Sequence, residues 1–252
     1  MTVVVRVEDG IGTLTLDNPP VNILTRAVMA SVREELAQLA AEPSLRVLVL
    51  MAEGKHFSVG ADVGEHMPPD FEEMIPEFLD TIAAIAAFPQ PVIAAVRGRC
   101  LGGGFELIQP ADLVVAGEGA TFGQPEILLG VLPPAACALL EELVSSGLAA
   151  EIVFTGDSIT AQQAFEAGLV RRVVPDDQVE GEALELAGRM ARHSAAALRS
   201  TKHALRGGSA ARRADALRQA GEVYVGELMQ TEDAVEGLRS FLEKRKPEWK
   251  HR

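Results

Sequence analysis

The stretch Arg97-Gly98-Arg99-Cys100-Leu101-Gly102-Gly103-Gly104-Phe105-Glu106 follows an apolar run, Pro91-Val92-Ile93-Ala94-Ala95-Val96, that reads as a buried strand. Three consecutive glycines lose more backbone freedom on folding than any other residues would. The return is close approach of bare backbone to something else. At the start of a helix that approach exposes N–H groups at the positive end of a dipole, a setting suited to negative charge developing on oxygen. Tight packing of a helix against a strand would also account for the triplet, and at this point both readings stand.

A second loop shares the design. Arg46 to Met51 is another short apolar run, and Glu53-Gly54-Lys55-His56-Phe57-Ser58-Val59-Gly60-Ala61-Asp62 follows it. Neighbouring strands of one parallel sheet open their C-terminal ends at the same edge, where ligands bind in such folds. One N–H from each loop could then converge on a single oxygen. Losing one donor of such a pair typically raises a barrier by about 2.7–4 kcal/mol. Two carboxylates belong to the same edge: Glu106, just past the glycines, and Glu126, after Gln124-Pro125. A protonated and an ionised carboxyl can divide acid and base work when their surroundings separate their pKa values. Either one alone is as readily a solvated or helix-start carboxylate.

Around these loops the chain reads as strands alternating with helices, which implies an α/β architecture with right-handed crossovers. Residues 3–7 and 12–16 flank Asp9-Gly10 as a hairpin. Thr25 caps a helix to about Ala41 with Val28, Val32, Leu36 and Leu39 on one face. A second helix is expected over 71–87, strands over 112–116, 120–123 and 170–174, and helices over 134–145, 147–154 and 161–167. From about Gln178 the chain reads as helical with a break at Gly207-Gly208. We divide it into a core, 1–195, and a helical region, 196–252.

Composition narrows the function. The 252 residues are 48% hydrophobic and carry a net charge of −13. Nucleic-acid backbones need clustered Lys and Arg, so they are not the expected partner. Cys100 and Cys137 show neither metal-ligand nor redox spacing, and the five histidines show no metal-ligand spacing and read as surface or structural residues. No metal is expected. The N-terminus lacks a signal-peptide pattern, and the longest apolar region is broken by Pro89-Gln90-Pro91. A cytoplasmic protein without a membrane anchor is the expectation. There is no dinucleotide fingerprint, phosphate loop or G-x-S-x-G nucleophile elbow.

The segments His56-Phe57-Ser58-Val59-Gly60-Ala61-Asp62, Leu101 to Glu106 and Phe122 to Leu129 together resemble the enoyl-CoA hydratase/isomerase, or crotonase, family. The likeness runs from Asp17-Asn18-Pro19 through Phe241-Leu242-Glu243-Lys244-Arg245-Lys246. It implies a spiral of ββα units, followed by helices that build a homotrimer, often paired into a homohexamer. It implies a coenzyme A thioester as substrate and no separate cofactor. Ala61 and Gly103 match the two residues whose N–H groups bind the thioester oxygen. Glu106 and Glu126 match the two glutamates of hydratases, the first activating water and the second exchanging the α-carbon proton. Gly60, Asp62, Val63, Gly64, Gly102 and Pro133 fall on substrate-binding segments, and Phe241 and Lys244 match positions that hold the nucleotide end of coenzyme A.

Two departures stand out. Gly64 replaces a lysine found in many members, which removes an ion pair to the coenzyme A phosphates. Leu132-Pro133-Pro134-Ala135-Ala136-Cys137 replaces a Pro-Gly-Ala-Gly-Gly loop, and Pro134 has no N–H to offer water or substrate. This loop, with Glu65-His66-Met67-Pro68 and Arg99-Cys100-Leu101, resembles the branch that hydrates cyclohexa-1,5-diene-1-carbonyl-CoA. The alternatives are a double-bond isomerase of the same fold, which needs only one carboxylate, and an RNA-binding relative.

Overall fold

The computed structural model describes residues 2–252. The chain begins with β1 (Val3–Glu8) and β2 (Ile11–Leu16), an antiparallel hairpin turned by Asp9 (φ 52°) and Gly10 (φ 81°). α1 (Arg26–Ala40) starts at its cap, Thr25, whose side chain accepts a hydrogen bond from the Val28 N–H. β3 (Val47–Ala52) pairs parallel with β2, and after α2 (Phe71–Ala86), β4 (Val92–Val96) pairs parallel with β3. Next come β5 (Arg99–Leu101), α3 (Gly103–Ile108), β6 (Leu113–Gly117) and β7 (Thr121–Gly123). They are followed by α4 (Pro134–Leu139), α5 (Ser146–Thr155), β8 (Ser158–Thr160), α6 (Ala161–Glu166) and β9 (Arg172–Val174). Three further helices close the chain: α7 (Val179–Ala191), α8 (Ala195–Gly226) and α9 (Glu232–Leu242).

Six strands form the main sheet in the order β1-β2-β3-β4-β6-β9, parallel except for the first hairpin. Its central strands are apolar on every residue because both faces are covered. Successive side chains point to opposite faces. Val47, Val49, Ile93, Ala95 and Val115 therefore pack under α7 on Val179, Ala183, Leu186 and Ala187. Leu48, Leu50, Val92, Ala94, Val96 and Val114 point the other way, into the larger core with the buried faces of α1 and α2. Each large aliphatic side chain buried there stabilises the fold by roughly 1.5–3 kcal/mol.

A second, smaller sheet was not expected. β5 pairs parallel with β7, and β7 antiparallel with β8. The glycine triplet therefore follows β5 rather than β4 directly. Strands of three residues are too short to show a period of two in sequence.

The helical tail also differs from expectation. α8 runs through Gly207-Gly208 without interruption, and the helical stretch breaks instead at Arg192–Ser194 and at Glu227–Thr231. Two helical glycines cost roughly 1 kcal/mol each relative to alanine. Tertiary ties hold the rod on both sides of them: Lys202 and Arg206 reach Asp112, and Arg212 and Arg213 reach Glu142. The helix expected over 134–145 ends at Leu139, passes through one 3-10 turn (Leu140–Glu142), and gives way to α5, capped by Ser145. Among the described residues no helix is long and apolar enough to cross a membrane.

Candidate active site

The two loops meet at the C-terminal edge of the strands. Leu24 forms an isolated parallel bridge with Ala61, donating to the Gly60 carbonyl and accepting from the Asp62 N–H. In a parallel pair those two bonds use the flanking residues, so the bridged residue's own N–H points away from its neighbour. Ala61 thus keeps a free N–H. Ser58 Oγ donates to the Asn22 carbonyl and accepts from the Gly60 N–H, which fixes the loop. Across from it, Gly103 is the first residue of α3, where an N–H has no intrahelical partner. Neither the Ala61 nor the Gly103 N–H has a hydrogen-bond partner among the described residues. The two are adjacent: a Cβ on Gly103 would stand 3.2 Å from the Ala61 nitrogen.

The carboxylates ride on the small sheet. Glu106 follows β5 and Glu126 follows β7, and those strands are hydrogen-bonded neighbours. The Gly102 N–H donates to the Gly123 carbonyl, and the Phe105 and Phe122 rings pack 5.5 Å apart, so α3 and β7 are held together. Glu106 is 2% exposed, and its Oε1 accepts from the Ala135 N–H (2.7 Å) and the Ala136 N–H (3.0 Å) at the start of α4. Burial nevertheless pushes its carboxyl up to about 7, against the downward pull of those two donors. Glu126 Oε2 is enclosed without a hydrogen-bond partner. Enclosure and the neighbouring Glu106 charge hold the Glu126 carboxyl well above its ordinary range.

The expected effect of the 130s loop therefore takes a different form. Pro134 opens α4, a position where a missing N–H is harmless. The next two N–H groups, those of Ala135 and Ala136, grip Glu106.

These groups surround a cavity of about 400 Å³. Of the residues expected from sequence, Gly60, Ala61, Val63, Gly102, Gly103, Glu106, Glu126 and Phe241 line it. Asp62, Gly64, Pro133 and Lys244 are not part of its wall. Asp62 Oδ1 accepts from the Gly64 and Glu65 N–H groups and so shapes the turn behind the Ala61 loop. Pro133 caps α4, while Lys244 lies just past α9 with its N–H on the Phe241 carbonyl. His66, read from sequence as surface or structural, lines the cavity instead. Its only sequence signal was its place in Glu65-His66-Met67-Pro68, close behind Ala61. Cys100 is a buried thiol whose Sγ donates to the Gly104 carbonyl.

The family model for enoyl-CoA hydratase/isomerase matches residues 6–252. The chain belongs to that family. A cyclohexa-1,5-dienecarbonyl-CoA hydratase from Thauera aromatica is 39% identical over 240 residues, covering 95% of this chain and 92% of the relative. A 2,3-dehydroadipyl-CoA hydratase from Escherichia coli K12 is 41% identical over 242 residues, covering 95% and 94%. The crystal structure of an enoyl-CoA hydratase/isomerase from Pseudoalteromonas atlantica T6c superposes with a TM-score of 0.91 at 27% identity, covering 99% of this chain and all of that one. The architecture is the crotonase fold of this hydratase/isomerase family, and the paired glutamates and paired free N–H groups occur within it at one cavity.

Proposed function

We propose that the chain is an enoyl-CoA hydratase, a hydro-lyase that adds water reversibly across the double bond of an α,β-unsaturated acyl-CoA. One observation carries this reading: two enclosed carboxyls, one gripped by two N–H groups and one unpartnered, face a pair of free N–H donors. The thioester oxygen accepts from Ala61 and Gly103, which favours the enolate that forms when water adds. Glu106, its charge supported by Ala135 and Ala136, takes a proton from water as hydroxide adds to the β-carbon. Glu126, which keeps its proton because burial and the neighbouring Glu106 charge disfavour its anion, delivers that proton to the α-carbon. The pair thus finishes with its proton exchanged between the two carboxyls, and exchange with solvent resets it. A double-bond isomerase needs one carboxylate, and here both line the cavity.

The substrate's own coenzyme A is the only cofactor this chemistry requires. Phe241 at the cavity wall, with Lys244 beyond it, would receive the nucleotide end. The resemblance supports self-assembly as a homotrimer or homohexamer, which light scattering on the purified protein would read directly. The two relatives named above differ in acyl group, one alicyclic and one dicarboxylic.

The test is loss of conjugated-thioester absorbance with crotonyl-CoA and cyclohexa-1,5-diene-1-carbonyl-CoA side by side, the product identified as the hydroxyacyl-CoA. Hydration of either supports the assignment. Conversion of a 3-enoyl-CoA to its 2-enoyl isomer with no hydration of any enoyl thioester would overturn it.

A further inference from the structure

The wall beyond the two glutamates includes Val63, Phe78, Leu132 and Leu238, and no Lys or Arg lines the cavity among the described residues. Besides Glu106 and Glu126, its one titratable lining side chain is His66. The His66 Nδ1 lies 2.8 Å from the Asp62 carbonyl oxygen, which can only accept. Nδ1 therefore carries the proton, and Nε2 is left as a lone-pair acceptor. Burial pulls the imidazole below its ordinary pKa, so the ring stays neutral near pH 7.

Tyr224 stands behind it, with ring centroids 6.2 Å apart and planes tilted by 55°. Tyr224 is fully buried, and its hydroxyl is sealed and has no partner. Burial raises the phenol, so it remains protonated. The backbone donors of the site are already assigned: Ala135 and Ala136 to Glu106, and Ala61 and Gly103 to the thioester oxygen. An acyl group entering this space therefore meets apolar surface, a neutral acceptor and two carboxyls. A distal carboxylate would lose water and gain no cation, and it would be repelled by Glu106.

Resting on the hydratase reading, we infer that this cavity selects by charge: it takes acyl groups that are uncharged along their length and excludes those ending in a carboxylate, with His66 as the specificity-determining residue. A cation at that position would be the simplest means of admitting a carboxylate. The side chain placed there is instead kept neutral by its burial, and the Asp62 carbonyl fixes its tautomer so that Nε2 is the acceptor.

The experiment compares crotonyl-CoA, cyclohexa-1,5-diene-1-carbonyl-CoA and 2,3-dehydroadipyl-CoA as substrates of the full-length protein. The better uncharged substrate should exceed 2,3-dehydroadipyl-CoA in kcat/KM by roughly 30-fold or more. A smaller ratio overturns the inference. In His66→Arg, whose guanidinium stays charged and forks onto carboxylates, the ratio should narrow by roughly tenfold or more. An unchanged ratio in a folded His66→Arg protein removes His66 from the role. Calorimetric binding of the saturated pair butyryl-CoA and adipyl-CoA to the native protein reads the same discrimination without turnover. Weaker adipyl-CoA binding supports charge selection and equal binding overturns it. Absence of turnover with every thioester counts against the hydratase reading alone.

Discussion

The Glu126 carboxylate rests against the bare Cα of Gly102: a Cβ at that position would stand 2.5 Å from Glu126 Oε1. Gly102 also holds φ at 52°, a conformation that side chains rarely adopt. It is both the helix-start hinge and the seat of a carboxylate. Gly102→Ala should therefore lower kcat by roughly 100-fold by displacing Glu126, and destabilise the fold by about 1–3 kcal/mol. Steady-state kinetics and urea denaturation check the two effects separately. Native turnover in this variant would mean that Glu126 needs no such seat.

Glu126→Gln keeps the size of the side chain and removes its transferable proton. Turnover should fall by about 100-fold or more while acyl-CoA binding changes little. Kinetics together with calorimetric binding of a saturated acyl-CoA would show it. A variant that turns over near the native rate would remove Glu126 from the proton-transfer role.

Glu106 links activity and stability to pH. Its carboxyl titrates at about 7 in the fold against an ordinary 4.5. The folded chain thus holds this proton more tightly than the unfolded one. The corresponding stability is fully present below 4.5 and is lost as pH rises through about 7. Glu126 is shifted in the same direction. Glu106→Gln cannot ionise and still accepts from Ala135 and Ala136, so its denaturation midpoint should rise relative to the native chain between about pH 5 and about pH 8. A gap that stays constant with pH would contradict the assignment. In the native enzyme, kcat/KM should climb as Glu106 ionises, with the acid limb near 7 rather than in the ordinary carboxylate range.

Lys202 ties α8 to the main sheet. Its Nζ lies 2.7 Å from Asp112 Oδ2 and 2.9 Å from the Gln90 carbonyl, at 8% side-chain exposure. Asp112 Oδ2 also accepts from the Val92 N–H, in β4. Lys202→Met leaves that carboxylate enclosed with Arg206 as its remaining cation, and should cost about 2–4 kcal/mol. The denaturation midpoint reads the loss, and catalysis at a temperature where the variant is folded should be unaffected.

What was legible in the sequence was local. The glycine triplet, the Asp9-Gly10 turn and the Thr25 cap each declare themselves within a few residues, because φ and a single side-chain bond suffice. Glu106 and Glu126 were legible as neighbours because each follows a short apolar run. The grip on Glu106 was not: its donors are backbone N–H groups 29 and 30 residues downstream, and backbone donors leave no mark in side-chain identity. Nor was the pairing of His66 with Tyr224, which belong to a 3-10 turn (Gly64–His66) and to α8 and meet through packing alone. Gly207-Gly208 misled for the opposite reason, since a local breaker was outweighed by distant ion pairs.

The start of α4 constrains how this chain can drift. Because Glu106 is held by two successive peptide nitrogens, residues 135 and 136 are free to change identity so long as they stay small and are not proline. A deletion or insertion of one residue ahead of them is another matter. It would turn the helix start by about 100° and swing both donors off the carboxylate. Loop length, more than loop composition, is the constrained quantity here.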